Sequence, residues 1–290
     1  MVDTELLYVT TLITTEWKGK PNGNASGFFY QQPQPAMTES QLGNYWLVTN
    51  RHVIYAEVEA ERKRYLVDKL TFRVRAEDTK TNKLIWIDVS LTKEELLQKA
   101  KVLADKNIDV AVIDVCDKVE SAFDAYEDMN VTVNPIREAT LADKSKFPVE
   151  VCDDVMVIGY PRGYFDTTNL YPIVKNGTIA SMWGAKFMNL RAFVIDAKLF
   201  PGSSGSLVIT KPRREDLDEN KYLVFKQNKI YYCLGVYSGE PYLQRTVMGA
   251  DGKPQTKAFT FDIGLVWYYS LIPDTIINGQ APCIDYMYIW

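Results

Sequence analysis

This sequence predicts an all-β chain of antiparallel barrels or sandwiches, on three observations. Short runs of β-branched and aromatic residues recur along most of the chain, each bounded by Gly, Pro, Asn or Asp. Helical periodicity is scarce. The runs are short, regularly spaced and rarely separated by helices, which argues against βαβ units. In the first half the expected strands are Leu6–Thr14, Gly27–Tyr30, Tyr45–Thr49, Leu70–Ala76, Leu84–Leu91 and Val110–Val115. In the second half they are Val155–Gly159, Ile173–Ser181, Phe193–Asp196, Ser206–Thr210, Ile230–Tyr237 and Phe259–Val266. The clearest helix is LTKEELLQKAKVLAD. Thr92 and Glu95 form a capping box there, and Leu96, Leu97, Ala100 and Leu103 share one face. A closing helix is expected to start near Pro273 and to stop by Asn278 and Gly279. Asp117–Lys146 reads as a polar, loop-like connector between the two strand sets. Lys211–Lys221 reads as a solvated hairpin tip.

Composition removes several classes of function. Of 290 residues 47% are hydrophobic, enough for a sizeable core. Lys+Arg 33 against Asp+Glu 37 leaves a net charge of −4, without the basic footprint of a nucleic-acid binder or of a protein drawn to anionic membranes. No stretch approaches the roughly 20 apolar residues of a membrane helix. The opening MVDTELLYVTTLITTEW has no basic n-region, so a cytoplasmic protein is expected. Cys116, Cys152, Cys233 and Cys283 are widely spaced and read as free thiols. With one histidine, His52, and no clustered ligands, neither a metal nor another cofactor is expected. Any imidazole chemistry must run through His52.

Three segments bear chemistry, in this order. YWLVTNRHV delivers His52 at the end of an apolar strand. NIDVAVI opens a buried-looking strand with Asp109. DAKLFPGSSGSLV holds Ser204 in a Gly-flanked turn. A serine hydroxyl is a poor nucleophile until a base takes its proton, and neutral imidazole suits that task. A carboxylate holds the imidazole in the right tautomer and stabilises the imidazolium that forms. A glycine two residues before the serine lets the amides of Gly202 and Ser204 face a developing oxyanion. Asp114, five residues on, is a rival for Asp109, but Asp109 precedes its strand. Ser203 is a rival for Ser204, and the Gly202-x-Ser204-Gly205 frame favours Ser204. The order His, Asp, Ser is that of chymotrypsin-like enzymes. The G-x-S-x-G elbow of α/β-hydrolases fails at Ser206.

Together these motifs resemble a trypsin-like, chymotrypsin-fold serine protease, closer to bacterial HtrA-type and glutamyl-endopeptidase-type members than to digestive trypsins. IDAKLFPGSSGSLVI resembles the HtrA-type serine segment. GNASGFFY, VIGYPRG, VKNGTIAS and LGVYSG match further segments, and the resemblance spans roughly residues 5–275. It implies two six-stranded antiparallel barrels with the active site between them. His52 and Asp109 would lie on the first barrel (5–116) and Ser204 on the second (147–267). Residues 117–146 would connect them and 268–290 would close a single domain. It also implies a polypeptide substrate bound as an extended strand along Tyr237, Ser238 and Gly239. The specificity pocket would be walled by Lys198, Leu199, Phe200 and Pro201 and by the Ser238-Gly239 edge.

Departures from the family pattern are informative. Val53 stands where digestive members carry cysteine, so their disulfides cannot form, which fits a reducing compartment. Ser203 replaces the aspartate that zymogens pair with a freed N-terminus. Leu207 replaces a common proline. The pocket floor has no acidic residue. Lys198 fits an acidic substrate side chain, whereas Leu199 and Phe200 fit an apolar one. HtrA-type members commonly carry a PDZ domain after the protease, and no residues remain here for one, so control by loops, oligomers or a regulatory partner protein is expected. The expected function is a serine endopeptidase. The alternative is a catalytically silent or partner-activated peptide-binding module on the same fold.

Overall fold

The computed structural model describes residues 6, 8–32, 44–126, 129–137, 140–142, 149–218, 220, 222–241, 243–248, 254–259 and 261–287. The first half contributes β1 (Thr10–Trp17), β2 (Lys20–Gln31), β3 (Tyr45–Thr49), β4 (Tyr55–Val58), β5 (Lys63–Leu66), β6 (Lys69–Asp78) and β7 (Leu84–Thr92). There follow α1 (Lys93–Lys99), β8 (Ala100–Val102), β9 (Ala111–Asp114), α2 (Cys116–Ala125), β10 (Met129–Thr132) and β11 (Ile136–Arg137). The second half contributes β12 (Asp154–Gly159), β13 (Ile173–Ile179), β14 (Ala192–Asp196), β15 (Leu207–Thr210), β16 (Arg213–Leu217), β17 (Leu223–Ile230) and β18 (Cys233–Gly239). Last come β19 (Leu243–Met248), β20 (Pro254–Phe259), β21 (Ile263–Tyr268), α3 (Leu271–Asn278) and β22 (Asp285–Met287).

The fold is mainly β and antiparallel, as the sequence predicts. Strands β12-β13-β14-β21-β18-β15 close into a six-stranded barrel. The N-terminal strands form a nine-stranded sheet in the order β10-β6-β1-β2-β3-β9-β8, with β7 on β6 and β11 on β2. Strand alternation explains why several runs are apolar at every position. In β3, Leu47 enters the N-terminal core, while Trp46 and Val48 face the layer between the halves. In β15, Val208 fills the barrel, while Leu207 and Ile209 face that same layer. The two strands that lead to His52 and away from Ser204 are thus pinned on both faces. Each fully buried aliphatic side chain contributes roughly 1.5–3 kcal/mol.

Several elements differ from expectation. The capping box on Thr92 forms, yet α1 ends at Lys99. Ala100–Val102 instead pair with β9, because edge pairing there satisfies the backbone and buries Ala100 and Val102. The segment expected to be loop-like contains α2, β10 and β11, and α2 is held by buried Val119 and Ala122. The hairpin tip is a two-stranded ribbon, β16-β17, and is not wholly solvated: Asp216 is buried and accepts a hydrogen bond from Tyr232 Oη at 2.9 Å. The closing segment returns to the first half, where β22 pairs with β5 in the small sheet β22-β5-β4. None of the four cysteines is in a disulfide, and burial pushes the Cys233 thiol up to about 12.

Candidate active site

Pairing of β3 with β9 (Thr49 opposite Ala111) brings the residues after one strand against those before the other. His52 lies in a short 3₁₀ turn, Arg51–Ile54, whose early amides lack helical acceptors. The Asp109 carboxylate supplies one: Oδ1 accepts from the His52 N–H at 2.8 Å, while Oδ2 lies 2.7 Å from His52 Nδ1. Ser238 Oγ donates a third bond to Oδ2 at 2.6 Å, and Asn50 Nδ2 donates to the Asp109 carbonyl at 2.8 Å. Burial pushes the Asp109 carboxyl up. The facing imidazole and the hydrogen bonds from His52 and Ser238 outweigh that and hold it below the usual carboxylate range. Asp114 lies in β9 and accepts from the Cys116 amide, which removes it as the partner of His52.

Ser204 sits in a turn built by two left-handed glycines, Gly202 (φ +90°) and Gly205 (φ +82°). At Gly205 a Cβ would stand 2.0 Å from the Ser26 carbonyl oxygen, so no side chain fits. The Pro201 carbonyl accepts from the Arg162 N–H at 2.6 Å, and the Ser203 carbonyl accepts from the Ser206 N–H at 2.9 Å. In a trans peptide the N–H points opposite its C=O. The Gly202 and Ser204 amides are thereby turned away from those acceptors, and neither has a backbone acceptor among the described residues. Ser204 Oγ itself donates to the Ser238 carbonyl at 2.9 Å. Among the described residues it has no hydrogen bond to His52.

Ser26 is the residue that sequence reasoning passed over. It is fully buried in β2 and joins the halves at the turn. Its N–H donates to the Ser204 carbonyl (2.8 Å), and its hydroxyl donates to the Gly202 carbonyl (2.9 Å) and accepts from the Tyr160 N–H (2.8 Å). Thr49 Oγ1, at the end of the histidine strand, donates to the Ser26 carbonyl at 2.8 Å. The only hint in the sequence was a small polar residue just before Gly27 and an apolar run.

A family model described as a trypsin-like peptidase domain matches residues 25–214, a span that holds Ser26, His52, Asp109 and Ser204. The chain belongs to that family. No curated protein sequence matches it. Among solved structures, HL collagenase is 13% identical, with 95% of this chain and 94% of that one covered and a TM-score of 0.45. The MamO protease domain from Magnetospirillum magneticum, in its apo form, is 11% identical, with 93% and 96% covered and a TM-score of 0.40. The serine endoprotease from Yersinia pestis is 13% identical with a TM-score of 0.43; the match covers 94% of this chain and 63% of that one, less than two thirds of its length.

In this trypsin-like peptidase domain the cleft at His52 and Ser204 is a cavity of about 440 Å³, lined also by Asn22, Asn24, Glu57 and Arg64. Of the residues expected to wall the specificity pocket, only Pro201 is among those that line this cavity. Lys198 is paired with Asp262 at 3.2 Å in an exposed ion pair, so its charge is answered within the chain. Leu199 packs against the barrel core, and Phe200 lines a separate groove. Of the three residues expected to receive a substrate strand, Tyr237 is occupied. Its N–H donates to the Ser206 carbonyl (2.9 Å), and its carbonyl accepts from the Gly205 N–H (2.8 Å). It backs the Ser204 turn, while the Ser238 carbonyl accepts from Ser204 Oγ and Gly239 pairs with Leu265 of β21.

Proposed function

We propose that this trypsin-like peptidase is an active serine endopeptidase with Ser204 as nucleophile, His52 as general base and Asp109 as the group that orients it. The observation that carries the reading is the Asp109 carboxylate, bonded to both the main chain and Nδ1 of the only histidine. Bonding at Nδ1 leaves Nε2 to receive the serine proton. Substrate arrival moves Ser204 Oγ from the Ser238 carbonyl to Nε2. Oγ then attacks the scissile carbonyl carbon as its proton passes to His52, and the oxyanion rests on the amides of Gly202 and Ser204. His52 returns the proton to the leaving amine as the C–N bond breaks, which leaves an acyl ester on Ser204. Water, deprotonated by His52, hydrolyses the ester. The substrate is a polypeptide laid along the Ser238–Gly239 edge.

A second reading, a silent peptide-binding module, is favoured by the engagement of the Ser204 hydroxyl with the Ser238 carbonyl. Intact-mass analysis after exposure to a fluorophosphonate probe separates the two. One adduct on the wild type, absent from Ser204→Ala and His52→Ala, is the expected result. A wild type that takes no adduct would favour the silent module.

A further inference from the structure

Outside the catalytic cleft, a groove of about 720 Å³ runs between the Pro161–Tyr164 turn and β13, and Phe200 of the nucleophile loop forms one wall. Its surface is apolar and open: Tyr164 is 71% exposed, Val174 42% and Phe200 38%. Two cations frame it, both stacked on the Phe200 ring, with the Arg162 guanidinium 5.4 Å and the Lys175 ammonium 5.3 Å from its centroid. Among the described residues neither cation pairs with a carboxylate. Arg162 also holds a left-handed φ of +53°, a strained conformation for a non-glycine residue, and its N–H donates to the Pro201 carbonyl beside Gly202.

We propose that this groove is a second binding site, and that it takes a peptide segment with an acidic residue next to a bulky apolar one. The apolar side chain covers Phe200, Val174 and Tyr164. The carboxylate makes charge-assisted hydrogen bonds to Lys175 and Arg162. A concave groove with two cations, on a protein of net charge −4, suits a short acidic peptide better than an anionic membrane surface. Because one residue, Arg162, both binds the ligand and anchors the Pro201 carbonyl, occupancy also changes the reactivity of Ser204. That part rests on the endopeptidase reading.

The binding test uses Ser204→Ala protein and a fluorescein-labelled peptide Ala-Glu-Phe-Asp-Ala, read by anisotropy. Saturable binding is expected, weakened about tenfold by Lys175→Glu and, separately, by Val174→Asp, and weakened likewise in the peptide Ala-Gln-Phe-Asn-Ala. No saturation below about 1 mM, equal affinity in both variants, or a preference for phosphatidylserine vesicles over the peptide would overturn the site. The coupling test measures the rate of fluorophosphonate labelling of wild type with and without saturating peptide. A changed rate supports the coupling, and an unchanged rate overturns the coupling alone. A wild type that is never labelled counts against the endopeptidase reading and leaves the anisotropy result standing.

Discussion

At the scale of single residues, the site depends on a carboxylate for which the facing His52 imidazole and three hydrogen bonds together outweigh burial. Asp109 has a folded pKa below its ordinary value of about 3.9, so the native state binds this proton less readily than the unfolded chain. The resulting stability is complete above the ordinary carboxylate range and fades as pH falls through the folded value. Asp109→Asn removes it. Urea unfolding is therefore expected to separate the wild type from this variant in full at pH 6, with the gap closing as pH falls below the ordinary carboxylate range. Ser26 acts on the other half of the site. Ser26→Ala strands the part-buried Gly202 carbonyl and the buried Tyr160 N–H, costs about 1–3 kcal/mol and frees the Gly202–Ser204 turn. Its fluorophosphonate labelling is expected to slow by about ten- to a hundredfold while circular dichroism stays native. His52 could be singled out because it is the only imidazole in the chain. Ser26 could not, because nothing local distinguishes a serine that bridges two lobes from one that merely ends a loop.

At the scale of elements, strands were legible as continuous apolar runs where both faces are buried, and β3 has the expected bounds. Short pieces were less so. The β4-β5 hairpin and β22 lack strong local signals and exist because they pair with each other. Their joint role is to brace the histidine turn. The Arg51 guanidinium lies 5.1 Å from the Tyr286 ring, and Tyr55 meets Tyr286 edge-on at 4.9 Å. Arg51 Nη1 also donates to the Leu103 and Asp105 carbonyls (3.2 and 3.3 Å). Tyr286→Ala is expected to cost about 3 kcal/mol in urea titrations, because it empties a packed aromatic site and uncovers Arg51. A loss below about 1 kcal/mol would mean that β22 is a passive cover.

At the scale of the whole molecule, the two halves are joined by a buried cation that has no carboxylate partner among the described residues. Arg75 in β6 donates to the Leu170 carbonyl from Nε (2.8 Å) and Nη2 (2.6 Å), and from Nη2 to Tyr160 Oη (2.9 Å). Its guanidinium lies 4.6 Å from the Trp86 ring and 5.2 Å from Tyr8. Burial lowers its pKa from the usual guanidinium range. Arg75→Ala should cost about 3–5 kcal/mol, mostly from leaving buried acceptors unmet, and Tyr160→Phe about 1 kcal/mol. Thermal unfolding of the two variants and the double mutant would expose the coupling as non-additivity.

By itself the sequence determined the β class, the strands that are apolar throughout, the order His52, Asp109, Ser204 and the glycine-framed turn. Each of these is local: a periodicity, a spacing, or a residue type that chemistry requires. Tertiary structure alone decided that Ser26 and Ser238 complete the site, that Tyr237 is occupied, that Phe200 faces another groove and that the closing strand braces the histidine. All four depend on contacts between residues far apart in the chain, and no spacing along it encodes which distant backbone groups will lie within 3 Å of one another.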